Sequence, residues 1–125
     1  MPTVPMTVPM TEQSILTTIK KLLGIDESFE AFDTDVIVGI NSAFGTLVDL
    51  GVGPEDGFEI HDKNSKWKEF ITDKRMNSVI TFVHYSTKML FDPPATGHAT
   101  TAMEKVLDEL KWRLNVYVET GRPSD

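Results

Sequence analysis

The densest run of potential ligands in the 125-residue chain is DESFEAFDTD at residues 26–35, with five carboxylates. Clustered acids are how a chain holds calcium. An EF-hand loop, however, needs oxygen ligands at alternating positions, a central glycine and a terminal glutamate. The run lacks that pattern and reads as a polar linker that caps a following helix. HDKNSK (61–66) fails the same test. The three histidines, His61, His84 and His98, show no HxxxH or HExxH spacing, so a zinc or di-iron centre has no support. GVGPEDG (51–57) lacks both the Lys-Ser/Thr ending and the following helix of a phosphate-binding loop, and no serine lies in a GxSxG context. Glu104, Asp108 and Glu109 fall on one predicted helix. Helical nucleotide pyrophosphatases need a second acidic set on a facing helix, and the preceding helix has none. No enzyme class is supported, and no catalytic residue, cofactor or metal is expected.

Composition narrows the remaining classes. One domain is the natural reading of this length. Hydrophobic residues make up 40% and charged residues 25%, as in an ordinary soluble globular protein. No apolar run approaches the length of a membrane span, and no signal-peptide core is visible. Zero cysteines exclude disulfides and thiolate chemistry and fit an intracellular environment. Nineteen acids against twelve bases give a net charge of −7, which suits the chain poorly to gripping DNA.

Periodicity predicts an all-α bundle of four to five helices over residues 11–118. Residues 1–10, MPTVPMTVPM, repeat TVPM and carry Pro2, Pro5 and Pro9, which predicts an unstructured arm, with Met6 or Met10 as alternative first residues. A first helix follows Thr11 as cap, with Ile15, Leu16, Ile19, Leu22 and Leu23 on one face and Gly24 closing it. A second starts after Asp33 or Thr34 and runs to about Leu50, with a stripe of Ile37, Ile40, Phe44, Leu47 and Val48. Gly39 and Gly45 weaken that helix by up to about 1 kcal/mol each relative to alanine, and close approach of a neighbour along Gly39 and Ala43 is the favoured reason. After a turn-rich loop, Phe58 and Ile60 alternate as a short strand-like piece, and 66–72 form a short helix around Trp67, Phe70 and Ile71. The stretch 61–75 carries five of the twelve bases and reads first as a solvated loop.

The central helix, about Arg75–Phe91, has Met76, Val79, Ile80, Val83, Thr87 and Leu90 on one face and Phe82, Tyr85 and Met89 near the other. It stops in MLFDPP (89–94). Pro93 and Pro94 cannot continue a helix, so Phe91 and Asp92 mark a fixed corner. The last helix starts between Thr96 and Thr101, where Thr101-Ala-Met-Glu104 has capping-box form, and runs to about Val118. Met103, Val106, Leu107, Leu110, Leu114 and Tyr117 form its stripe, with Trp112 and Val116 pointing away. A tryptophan opposite the core stripe is either an interface anchor or covered by another element of the domain. Residues 119–125, ETGRPSD, read as a flexible tail.

In this order the segments INSAFGTLVDLGVGP (40–54), WKEFI (67–71), the helix ending in MLFDPP, and ELKWRLNV (109–116) resemble the small α-helical head–tail connector, or adaptor, proteins of long-tailed double-stranded DNA bacteriophages. The match covers about residues 11–118; each motif alone is common, and it is their order that is informative. The resemblance implies a virion structural protein without catalysis, assembled in the bacterial host cytoplasm. It implies a ring, dodecameric in the virion, beneath the portal protein. Such a ring continues the DNA channel without reading sequence and docks a stopper or tail-completion protein. It makes Trp112, Arg113, Asn115, Val116 and Arg122 interface candidates, with Phe82, Tyr85 and Met89 from the two-sided central helix. Loop 51–65 and its basic continuation, with Glu55, Asp56, Lys63 and Lys66, become candidates for the lower surface or lumen. Inward carboxylates would repel phosphate and let the duplex slide. The competing reading is a small helical interaction or regulatory module acting as monomer or dimer; a metal-dependent hydrolase ranks last.

Overall fold

Ser14, not Thr11, caps the first helix. The computed structural model describes residues 9–120, with side chains as far as Val116. Met10–Glu12 form a 3-10 turn, and α1 spans Ile15–Leu22. Ser14 Oγ accepts from the Thr17 N–H at 3.2 Å. Tertiary pairing moves the start downstream: the Ile15 N–H donates to the Ser65 carbonyl, and the Trp67 N–H to that of Gln13. Ile15, Leu16 and Ile19 are buried as expected, whereas Leu22 is exposed. Gly24, at φ 83°, closes the helix. Residues 1–8 of the expected arm, and 121–125 of the expected tail with Arg122, lie outside the described residues.

The second helix, α2, spans Asp33–Asp49 and buries Val36, Ile40, Ala43, Phe44 and Leu47. Its two internal glycines differ in kind. A Cβ at Gly39 would stand 2.9 Å from Thr87 Cγ2 and 3.3 Å from Thr87 Cα, whereas one at Gly45 would meet nothing within 4 Å. Gly39 is therefore a close-packing position, and Gly45 is simply tolerated.

Among the described residues there is no strand; Phe58 and Ile60 sit in a loop. The Ile60 backbone groups bond to a side chain instead of a neighbouring strand: its N–H donates to Asn41 Oδ1 at 2.7 Å and its carbonyl accepts from Asn41 Nδ2 at 2.9 Å. Val52 and Ile60 plug the loop into the core. Gly53 turns at φ 92°, and a Cβ there would run into the Phe70 ring. The short helix expected over 66–72 contracts to a 3-10 turn, Trp67–Glu69. It sinks Trp67 into the core, where the indole N–H donates to Thr18 Oγ1 at 3.1 Å. Phe44 and Phe70 meet beside it with ring centroids 4.5 Å apart.

The third helix, α3, spans Met76–Phe91 and packs on α1, α2 and α4, so it is the central element. Met76, Val79, Ile80, Val83 and Thr87 are buried on the expected face. Leu90 is not: it is 65% exposed and opens onto the seam between α2 and the last helix. Phe82, on the other side, is 3% exposed. It is core, which removes it from the residues available to a partner.

The last helix, α4, spans Gly97–Thr120. Thr96 caps it, accepting from the Ala99 N–H at 3.1 Å, and Thr101 lies inside the first turns. Leu110 and Leu114 are buried against α3, Val106 and Leu107 partly so. The side chain of Tyr117 is outside the described set. No helix among the described residues is long and apolar enough to cross a membrane.

Candidate functional site

The titratable groups do not converge. Among the described residues no group of three or more His, Asp or Glu side chains could hold a metal ion. Glu104 and Asp108 line the α2–α4 seam, with Asp108 3.6 Å from Lys111 Nζ, while Glu109 turns to Arg113 at 3.6 Å. His61 and His98 are exposed. His84 is half-buried beside Tyr85; burial first, then the charge of Lys88, lowers its imidazole below the ordinary value, against a backbone hydrogen bond at Leu22. Asp73 lies below the usual carboxylate range because the Arg75 side chain bonds it, with the closest contact 2.8 Å.

What the fold does create is surface. At the MLFDPP corner the Asp92 N–H donates to the Lys88 carbonyl at 2.8 Å, and Lys88 Nζ donates back to the Asp92 carbonyl at 3.1 Å. Pro93 and Pro94 then turn the chain into α4, which folds back along α3. Beside this corner, Phe29, Phe32 and Phe91 form an edge-to-face chain with successive centroids 5.3 Å apart. Phe29 is 48% and Phe32 43% exposed, and Val38 and Leu90 extend the apolar patch. Sequence reading missed Phe29 and Phe32 as surface residues; the available signal was two aromatics inside an acidic run with no helical or strand period.

A buried cation holds that patch in place. Lys20 lies in the core, with Nζ donating to the carbonyls of Phe29 at 2.7 Å and Glu27 at 3.0 Å. Asp33 Oδ1 stands 2.7 Å from the same nitrogen; this ion contact, in place of a well-angled hydrogen bond, compensates the burial of the cation.

On the side of α3 away from Leu90 lies an open groove of about 980 Å³ between α1 and α3. Leu22, Ile80 and Tyr85 line it with Lys21, Lys66 and His84. Lys66, taken from sequence as a lumen candidate, is half-buried here, at the antiparallel bridge to Ser14. Glu55, Asp56 and Lys63 are exposed on the loop. Part of the basic bias of 61–75 is neutralised within the chain, by Lys68 on Glu12 at 3.0 Å and Arg75 on Asp73.

On α4, Trp112 is 69% exposed and Arg113 is exposed, whereas Asn115 and Val116 are half-buried. No described element covers the indole. Tyr85 and Met89 are half-buried and fall to different surfaces, Tyr85 to the α1–α3 groove and Met89 to the α2–α4 seam.

No curated protein and no solved structure matches the chain. The family model described as phage connector protein matches residues 15–121, from the first turn of α1 to the end of α4. The same span supplies the all-helical fold, the fixed corner and the exposed surfaces, and the family is a structural one, not a class of enzymes. The chain belongs to the phage connector protein family, with a role at the head–tail junction of a bacteriophage.

Proposed function

We propose that the chain is an adaptor subunit that assembles into a ring, dodecameric in the virion, beneath the portal protein and presents the surface for the next connector or tail-completion protein. Trp112 is the observation that carries this reading. A large aromatic left open on a long helix whose opposite stripe is committed to the core has the character of an interface anchor. Arg113 beside it and Val116 one turn on extend that surface towards the portal. The loop with Glu55, Asp56 and Lys63, pinned by Asn41, faces the lumen or the lower rim. A net charge of −7 lets DNA pass without being held.

The test is native mass by light scattering, for the chain alone and with the portal protein of the same phage, over a range of concentrations. A closed ring, alone or on the portal, supports the reading. A monomer or dimer under every condition, with no portal binding, replaces it with the small interaction module.

A further inference from the structure

The aromatic patch and the groove take different stretches of α3: the groove residues between 77 and 85, the patch Leu90 and Phe91 at the C-terminal end. Leu90 and Thr81, which belong to the patch and the groove respectively, are nine residues apart. Nine residues at about 100° each make 2.5 turns, so these two positions point in opposite directions, while Phe91, seven residues beyond His84, points to the groove's side about two turns further along. The two surfaces also differ in charge. Phe29 and Phe32 stand among the exposed carboxylates of Asp26, Glu27, Glu30 and Asp35. The groove offers Leu22, Ile80 and Tyr85 as apolar floor and Lys21 and Lys66 as cations, and its lining carboxylate, Glu12, is held by Lys68 at 3.0 Å. One surface is aromatic and edged by carboxylates; the other is apolar, with cations outnumbering its carboxylate.

We infer that the two surfaces meet between copies: the Phe29–Phe32 edge of one subunit seats in the α1–α3 groove of the next. This rests on the ring reading and names the contact that closes it. Two different patches of one chain that fit each other give a heterologous, head-to-tail contact, the kind that generates rings. Opposite charge fixes the pairing and steers it, because the groove facing another groove, or the patch another patch, sets like charges together. Lys20 supports the contact from within the subunit. By holding the carbonyls of Glu27 and Phe29, it fixes the loop that carries Phe29 and Phe32 before binding, so less ordering cost falls on association.

The absence of native cysteine makes the test clean. Ala31→Cys places a thiol on the patch and Asn77→Cys one on the groove rim, and neither removes an apolar anchor or a charge. Mixed under mild oxidation, the two variants should form a disulfide-linked pair in at least tenfold excess over either variant alone. Adding Lys21→Glu and Lys66→Glu to the Asn77→Cys chain should cut that product at least tenfold. Adding Glu27→Lys and Glu30→Lys to the other chain should restore it. Cross-links as strong within one variant as between the two overturn the pairing, as does indifference to charge reversal. So does protection of the Asn77→Cys thiol by the portal without any mixed product, which assigns the groove to the portal. Native mass of the unsubstituted chain, measured in parallel, separates the two readings. A ring without the mixed cross-link overturns this contact alone; no assembly with or without portal overturns both.

Discussion

At the scale of single residues, the tightest constraint is where Gly39 meets Thr87. A Cβ at Gly39 gains up to about 1 kcal/mol of helix propensity. It also pushes against the Thr87 methyl and backbone, where overpacking costs about 1–3 kcal/mol. Gly39→Ala should therefore destabilise, and Thr87→Ser, which removes the opposing methyl, should reduce that cost in a double-mutant cycle read by urea unfolding. Gly45→Ala meets open space and should stabilise by about 1 kcal/mol. Equal signs for the two glycines would refute the close-packing argument. The same contact holds a second defect: Thr87 is fully buried and its hydroxyl has no hydrogen-bond partner. Thr87→Val keeps the shape and removes the unpaired group, so it should stabilise by about 1 kcal/mol. Protonation acts in one direction across the acid range. The unfolded chain protonates His84 near 6.5 and the folded chain only at lower pH, so the unfolded state holds more protons in between and stability falls as pH drops below 6.5. Asp73, ordinarily 3.8 and lower when folded, contributes stability that is full above 3.8 and lost as pH falls through its folded value. His84→Gln should flatten the upper window in pH-dependent thermal unfolding and leave the lower one intact.

At the scale of elements, the loop after α2 is ordered by one side chain. Asn41 bonds both backbone groups of Ile60, and Asn41→Ala leaves two buried-side partners unmet, at about 1–3 kcal/mol in total stability. Hydrogen exchange should accelerate most at Ile60 and its loop neighbours, with α3 amides changing only by the global loss. Uniform acceleration would mean that the loop is not held locally. This loop also shows where sequence stopped being informative. The long helices were legible because their apolar positions repeat at 3.6 residues: Ile40, Phe44 and Leu47, or Met76, Val79, Ile80 and Val83, are all buried where periodicity put them. The Pro93-Pro94 stop was legible because proline acts locally. Phe58 and Ile60 alternate like a strand, but a side chain from α2 satisfies their stretch of backbone, a partnership that no local pattern encodes. The start of α1 was misplaced for the same reason, since pairing with Ser65 and Trp67, some fifty residues away, decides it. Leu90 keeps the helical phase yet is exposed, because phase reports direction and not whether anything stands there to cover it.

At the scale of the molecule, the separation between core and surface decides what each aromatic can do. Phe82 and Trp112 both looked like partner-facing residues from their helical phase. Phe82 is enclosed by its own fold, and Phe82→Ala should cost about 3–5 kcal/mol of stability, lowering assembly only through the loss of folded subunit. Trp112 has no such role within the subunit, so Trp112→Ala should change unfolding stability by no more than about 0.5 kcal/mol. If the indole anchors the contact with the portal, its removal should weaken that binding by about 2 kcal/mol or more, some thirtyfold, with most of the change in the dissociation rate. Binding measured by surface-immobilised portal, beside unfolding of the same preparations, separates the two effects. Unchanged portal affinity in Trp112→Ala would move the portal surface off α4. A ring that still forms would then leave α4 to the next connector component, because the groove and the aromatic edge would remain committed to neighbouring subunits.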